Sequence, residues 1–172
     1  MYELIILSLL MRGPFHGYLI LKMANELLGP WAKVSSGTLY PLLSRMKRAG
    51  LITTIPVEEG EANERQARTF LITEEGLLRF HQVMTDISLN LGDYPRLFHY
   101  KMAFIDLLDS DERLLLFNHY INYCQTAIAY LQTEVASLVH EITQEPYTHF
   151  RENMLKVKEH VERQTQKELE WV

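Results

Sequence analysis

Hydroxyl and cationic side chains are concentrated in one short stretch near the start of the chain. Residues 31–50 contain no aspartate or glutamate, and their cations are Lys33, Arg45, Lys47 and Arg48. Arginine and hydroxyl groups can hydrogen-bond to base edges, whereas lysine mostly meets phosphates. The stretch could therefore contact nucleic acid, although its charge alone is equally compatible with a solvated helix surface.

The same stretch has the periodicity of a helix, which we expect over Thr38–Ala49 with Gly50 at its C-terminal end. One apolar stripe recurs at i, i+3, i+4 and i+7, namely Leu39, Leu42, Leu43 and Met46. The rest of its surface carries Thr38, Tyr40, Ser44, Arg45, Lys47 and Arg48. Such a face suits a helix in the DNA major groove, with the free N–H groups of its first turn on a phosphate. Pro41 leaves two alternatives, a start as late as Thr38 or a mildly bent first turn.

The elements around this helix predict a winged helix-turn-helix. Helices are expected before Gly13-Pro14 and between Gly17 and Gly29-Pro30, because these pairs break helices. Two strand-like runs follow the third helix, Leu51–Val57 and Arg68–Ile72, and Thr73 is a good N-cap for another helix. The order helix, helix, helix, strand, strand, helix is that of the winged fold.

The second half of the chain is predicted to be entirely helical. We place the domain boundary at Gly92-Asp93-Tyr94-Pro95, which gives a DNA-binding domain over 1–91 and a helical dimerisation domain over 92–172. A long helix from Ser110 to about Thr143 carries apolar residues at alternating spacings of three and four. The predicted dimerisation residues on it are Leu114, Phe117, Ile121, Cys124, Ile128, Leu131, Val135 and Leu138. A helix after Pro146 repeats the spacing, so an antiparallel hairpin within one chain is the alternative. The fold class is therefore mainly α, a winged helix-turn-helix plus a long-helix dimerisation domain.

Composition sets the class of protein. The 172 residues are 47% hydrophobic and 23% charged, as in ordinary globular proteins. The net charge of −5 resides in the second half, because residues 1–90 are neutral. A single cysteine suits a reducing cytoplasm, and neither a basic leader at Met1-Tyr2-Glu3 nor a run long enough for a membrane span is present. We expect a cytoplasmic protein.

Several motifs of the first half resemble the PadR family of transcription regulators. They are Gly13-Pro14-Phe15-His16-Gly17-Tyr18, Leu27-Leu28-Gly29-Pro30, Val34 to Met46, Gly50-Leu51-Ile52 and Arg68 to Gly76. The length of the helical half resembles the larger subfamily, whose extra helices form the dimer. The resemblance implies that DNA is contacted by Ser35, Ser36, Gly37, Thr38, Tyr40, Ser44 and Arg45, and that the wing contributes Arg65 and Arg68. The wing tip departs from many relatives, because residues 58–64 hold four acids that repel phosphate.

The sequence shows no pattern typical of an enzyme. The seven histidines include no pair at i, i+4 with an acid between them, so we expect no metal site and no cofactor. His16 is interpreted as a structural residue that orders the start of the second helix. Cys124 is one of the apolar residues that repeat along the predicted long helix, and we expect it to be a small buried hydrophobe. We expect no catalytic residues.

These patterns together predict a homodimeric repressor that binds a palindromic operator in double-stranded DNA. The resemblance also implies release by a small-molecule effector, which is aromatic for some members. Tyr94, Phe98, Tyr100 and Phe104 could line such a pocket, or could be core and dimer packing. The alternative function is a helical scaffold whose winged domain binds protein.

Overall fold

The protein is mainly helical, as its sequence predicts. Its structure, a computed structural model, describes residues 1–30, 32–55, 68–86, 93–141 and 148–172. The α-helices in these ranges are α1 (Tyr2–Leu10), α2 (Gly17–Leu28), α3 (Ser36–Arg48), α4 (Glu74–Thr85), α5 (Tyr94–Met102), α6 (Ser110–Glu141) and α7 (Thr148–Trp171). The strands are β1 (Phe15–His16), β2 (Ile52–Ile55) and β3 (Thr69–Ile72). This order confirms the winged helix-turn-helix followed by long helices.

The three strands form a small antiparallel sheet in the order β1-β3-β2. Strands β2 and β3 pair from Ile52↔Ile72 to Ile55↔Thr69 and are the two strands of the wing. Strand β1 was not predicted. It has two residues, too few for an alternating pattern, and it exists because Phe15 pairs with Phe70 of β3.

Helix α1 is the centre of the first core. Its residues from Leu4 to Leu10 are all buried, and α1 packs against α2, α4 and β3. The one polar member, Ser8, donates its hydroxyl hydrogen to the Leu4 carbonyl at 2.8 Å, so that no buried oxygen lacks a partner there. An all-round apolar helix must be covered on every side, which explains why it lies between the other elements.

The chain divides into two compact units, Met1–Ser110 and Asp111–Val172. The first unit thus includes α5, which lies after the predicted boundary at 91/92. Residues 87–92, where that boundary falls, lie outside the described ranges. In the second half of the chain, which is predicted to be entirely helical, α5 ends at Met102 and a 3₁₀ turn over Ile105–Leu107 follows. Within this unit Asp106 accepts two hydrogen bonds from Arg12, at 2.8 and 3.0 Å. The assignment of 92–172 to dimerisation stays a prediction.

The second unit is an antiparallel pair of helices, α6 and α7. Partners that lie later along α6 contact residues earlier along α7: Tyr120 with Glu168, Gln132 with Glu162, and Glu134 with Lys158. Residues 142–147, which include the predicted break at Pro146, lie outside the described ranges. None of the helices in the described parts of the chain combines the length and the apolar character needed to cross a bilayer.

Candidate nucleic-acid interface

The turn between α2 and α3 is held by one side chain. Asn25 of α2 donates its amide hydrogen to the Val34 carbonyl at 3.0 Å and accepts one from the Val34 N–H at 2.7 Å. Val34 is itself buried, so both its backbone groups and its side chain are fixed. Because Val34 directly precedes the N-cap of α3, this double hydrogen bond fixes where α3 begins relative to α2.

Helix α3 begins two residues earlier than the predicted Thr38. Ser35 is its N-cap in an extended conformation, and the Ser35 and Thr38 hydroxyl oxygens lie 3.2 Å apart. The early start places Pro41 inside the helix, which excludes the alternative of a late start. A proline there cannot donate the helical hydrogen bond to the carbonyl four residues before it.

The C-terminal end of α3 is a Schellman motif, in which two N–H groups bond back to the last turn of the helix. The Gly50 N–H donates to the Lys47 carbonyl and the Leu51 N–H to the Met46 carbonyl, at 3.1 and 3.0 Å. Gly50 has a φ of 74°, a left-handed conformation that favours glycine. The predicted role of Gly50 is thereby confirmed. Thr73 also donates its hydroxyl hydrogen to the Gly50 carbonyl, which joins this corner to the start of α4.

The two sides of α3 differ as the periodicity predicts. Leu39, Leu43 and Met46 are buried, with at most 2% of each residue exposed, whereas Leu42, the fourth residue of the predicted stripe, is half-buried. All nine predicted DNA-contacting residues of this region are exposed: Ser35, Ser36, Gly37, Thr38, Tyr40, Ser44, Arg45, Lys47 and Arg48. The hydroxyl groups and cations are therefore available to a partner.

The cations of α3 keep their charge unpaired within the described residues. Arg45 and Arg48 form no ion pair with any residue of those ranges. Lys47 donates to the neutral Thr54 hydroxyl of β2 at 2.6 Å, which orients its ammonium group without neutralising it. Uncompensated positive charge on an exposed helix attracts polyanions.

A cleft of about 400 Å³ separates α3 from the wing strands. Its polar lining consists of Tyr40, Ser44, Lys47, Thr54 and Arg68, and its apolar lining of Leu43 and Phe70. Arg68, predicted as a wing contact, is exposed next to the first residue of β3. The other predicted wing contact, Arg65, and the acidic tip at 58–64 lie outside the described residues.

Three residues that position α3 and the wing strands were not predicted from the sequence. Asn25 was placed in α2 without a role, Thr54 was part of a strand pattern, and Thr69 lies 3.0 Å from the His16 ring, Oγ1 to Nδ1. His16 is the N-cap of α2, but its side chain makes no cap hydrogen bond. Its ring instead faces β3. The one signal in the sequence was the position of Asn25 close to the C-terminal end of α2, just before the turn that it holds.

The eight predicted dimerisation residues of α6 fall into two groups. Cys124, Ile128, Leu131 and Leu138 are buried within the single chain. Phe117, Ile121 and Val135 are half-buried, and Leu114 is 59% exposed. The first group belongs to the intrachain hairpin, because one side of α6 faces α7. The second group leaves apolar surface uncovered.

No group of three or more histidine, cysteine or acidic side chains that could hold a metal ion occurs among the described residues. Cys124 is buried as predicted, and its burial raises the pKa of its thiol, with Glu168 adding to the rise. A raised thiol pKa lowers the fraction of reactive thiolate.

The fold and its exposed cationic helix define a winged helix-turn-helix DNA-binding protein. Residues 6–82 match the family described as the transcriptional regulator PadR-like family. A transcriptional regulator from Clostridium thermocellum is 30% identical over 47% of this chain and 76% of that one, with a TM-score of 0.41. The chain belongs to the PadR-like family of transcriptional regulators.

Two further solved structures extend over nearly the whole chain. Bacillus subtilis PadR in complex with operator DNA is 20% identical over 99% of this chain and 97% of that one, with a TM-score of 0.42. The same protein in complex with p-coumaric acid is 21% identical over 97% and 92%, with a TM-score of 0.40. No match was found among curated proteins.

Proposed function

We propose that this protein is a sequence-specific repressor that binds a palindromic operator as a homodimer, with one α3 helix in each of two successive major grooves. The observation that carries the proposal is the exposed face of α3, whose hydroxyl groups and cations lie in a stretch of sequence without acids and whose cations form no ion pair with any of the described residues. In a two-fold dimer the half-site centres lie about 34 Å apart, one turn of DNA. A dimer bound over a promoter excludes the polymerase.

Roles on DNA follow from side-chain chemistry. Thr38, Ser44 and Arg45 have donors that suit base edges, with arginine directed to guanine. Lys47 and Arg68, on opposite sides of the cleft, suit phosphates of one backbone. The exposed start of α3 at Ser35–Gly37 offers N–H groups to another phosphate.

Uncovered apolar surface on the C-terminal helices supports the homodimer. Helix α7 exposes 63% of Phe150, 61% of Val157 and 43% of Val161, which helical spacing places on one side. A mainly apolar groove of about 370 Å³ is lined there by Phe150, Asn153, Met154, Val157 and Lys158. An exposed apolar surface of this kind is typical of an interface that another chain covers. We assign it to a second copy of this chain, because the two-fold operator requires one.

A gel-shift titration against the DNA immediately upstream of the protein's own gene tests the proposal. We expect a shift of the size of one dimer that survives an excess of unrelated duplex and weakens steeply as salt rises, because each cation of the two α3 helices that neutralises a phosphate releases a condensed counterion. Absence of any specific shift by folded dimeric protein, on its own and neighbouring promoters, would refute it.

The scaffold alternative has a separate signature. A winged domain that binds protein would show no DNA shift at all, and replacing Arg45 and Arg48 by alanine would leave that unchanged. The four acids of the wing tip favour this alternative, whereas the acid-free stretch around α3 favours DNA.

Release by a small-molecule effector stays a prediction of the family resemblance. Of the two roles considered for the aromatic residues after position 93, the structure supports packing. Tyr94, Phe98, Tyr100 and Phe104 are all buried in the first unit, and the rings of Tyr94 and Phe98 are 6.5 Å apart. A thermal-shift screen with p-coumaric acid and related phenolic acids, followed by gel shift, tests for an effector.

A further inference from the structure

A close contact joins the two helices of the helix-turn-helix at Gly17. This glycine is the first residue of α2 and is buried. A Cβ atom added to it would lie 2.9 Å from Cε1 of Tyr40, 3.1 Å from its Oη and 3.3 Å from its Cζ. All three of the nearest atoms thus belong to one tyrosine side chain of α3.

Gly17 is not required for its backbone conformation. The described glycines with positive φ are Gly13, Gly29 and Gly50, and Gly17 is not among them. Any L-residue could therefore adopt its φ. The reason for a glycine here is space, because a methyl group would overlap the Tyr40 ring.

Tyr40 is the one aromatic residue among the predicted DNA contacts. It is 37% exposed and lines the cleft between α3 and the wing, together with Ser44, Lys47 and Arg68. The atoms near Gly17 are the far end of its side chain, which can rotate without any shift of the backbone. A methyl group on Gly17 would push the ring away from α2 and towards the surface that carries the cations.

We infer that Gly17 is a positioning residue for DNA recognition, which sets the orientation of Tyr40 by leaving it a place to lie against α2. The inference rests on the proposed function, because it assumes that α3 contacts DNA. It goes beyond that function by assigning a role in specificity to a buried residue of α2 that itself cannot touch DNA bases. The inference predicts that adding a methyl group at Gly17 weakens operator binding without lowering the stability of the fold.

The test is a double-mutant cycle of Gly17→Ala and Tyr40→Ala, with operator affinity and thermal stability measured for all four proteins. We expect Gly17→Ala to weaken operator binding about tenfold, as expected for loss of one good contact, while its melting temperature stays equal or rises. In the Tyr40→Ala background, Gly17→Ala should change the affinity no further, because no ring is left to displace. Arg163→Ala, an exposed cation of α7, is the control for loss of a distant charge.

Three outcomes would overturn the inference. They are a Gly17→Ala protein with wild-type affinity, an equal loss of affinity in both backgrounds, and a loss of stability that persists in the Tyr40→Ala background. The last outcome would mean that Gly17 is needed for the fold itself.

A readout without DNA separates this inference from the proposed function. With ring-labelled tyrosine, the NMR signal of Tyr40 is the one that Tyr40→Ala removes, and Gly17→Ala should move it more than the signals of the other tyrosines. A wild-type protein that binds no promoter would refute the proposed function and with it the role in recognition. An unmoved Tyr40 signal would refute the contact even if the wild type binds DNA.

Discussion

At the scale of single residues, the most informative side chains are polar groups in apolar surroundings. Lys101 of α5 is buried, and its ammonium group donates to the Asp86 carbonyl at 2.8 Å. Burial lowers the pKa of Lys101 from 10.5 to about 8, and the nearby Asp86 opposes that change only in part. The cost of burying a charge is thus partly offset by one hydrogen bond.

Replacing Lys101 by Met should make stability respond differently to pH. Between about pH 8 and pH 10.5 the unfolded chain binds more protons at this residue than the folded chain, so the Lys101 contribution to the free energy of unfolding rises with pH there. Urea unfolding of wild type and Lys101→Met across this window should show the wild type gaining on the variant as pH rises. A difference that is the same at every pH would contradict the assignment; Lys156→Met, at an exposed position, is the matched control.

Asn25 gives a second prediction at this scale. Asn25→Ala removes both hydrogen bonds to Val34 and should lower the free energy of unfolding by about 1–3 kcal/mol, because a partly buried backbone is left without partners. Asn118→Ala, at an exposed position of α6, should stay within about 0.5 kcal/mol of wild type. Chemical denaturation measures both, and equal stabilities for the two variants would show that the turn does not depend on Asn25.

At the scale of elements, the sequence predicts long periodic helices well, but it predicts poorly which segments contact each other. The spacing of Leu39, Leu43 and Met46 predicts both the existence of α3 and its buried side, since one side of a helix must meet the core. The start of α3 was misplaced because Ser35, Ser36 and Thr38 are all good N-caps, and the choice among them is made by the Asn25–Val34 contact. Strand β1 was missed because it depends on a partner far along the chain.

The eight predicted dimerisation residues of α6 show that the sequence alone also fails to identify the partner of a packed helix. Alternating spacings of three and four indicate that a helix will be packed, but they do not distinguish a partner in the same chain from a second copy. Tertiary contacts such as Tyr120 with Glu168 assign Cys124 and its buried neighbours to the hairpin. Leu114 and the other exposed apolar residues of α6 and α7, such as Val139 and Val157, remain available for a dimer.

The two ends of α3 each carry a glycine, and the two form a matched pair for substitution. Gly50 has a φ of 74°, so Gly50→Ala should lower the free energy of unfolding by about 1 kcal/mol or more. Gly37 lies in the first turn of the same helix with only ordinary contact distances around an added Cβ, so Gly37→Ala should not destabilise the protein. Thermal unfolding compares the two, and an equal effect of both would contradict the Schellman geometry.

At the scale of the whole molecule, an acidic protein can bind DNA because one stretch of its sequence carries cations and no acids. The net charge of −5 comes from the second half of the chain, while residues 31–50 carry cations only. The distribution of charge therefore matters more than the net charge. The phosphates contact one face of the protein, and salt ions screen their repulsion from the acidic residues elsewhere.

The homodimer makes a prediction about assembly. The double variant Phe150→Glu/Val157→Glu places two acids on the exposed apolar side of α7 and should convert the dimer into a monomer, with loss of cooperative operator binding. Gln166→Glu adds an acid at an exposed position that helical spacing places away from this side, and should stay dimeric. Analytical ultracentrifugation decides the point. A double variant that remains dimeric would place the interface elsewhere.

The most direct test of the central claim is the affinity of α3 variants for the operator. Equilibrium binding is measured for wild type, Arg45→Ala/Arg48→Ala and Arg163→Ala at one fixed salt concentration, on the operator and on unrelated duplex. The account predicts that the double variant loses both affinity and the preference for the operator, by at least about tenfold, while Arg163→Ala behaves as wild type. A double variant that still binds the operator with wild-type affinity and preference would show that α3 does not recognise DNA.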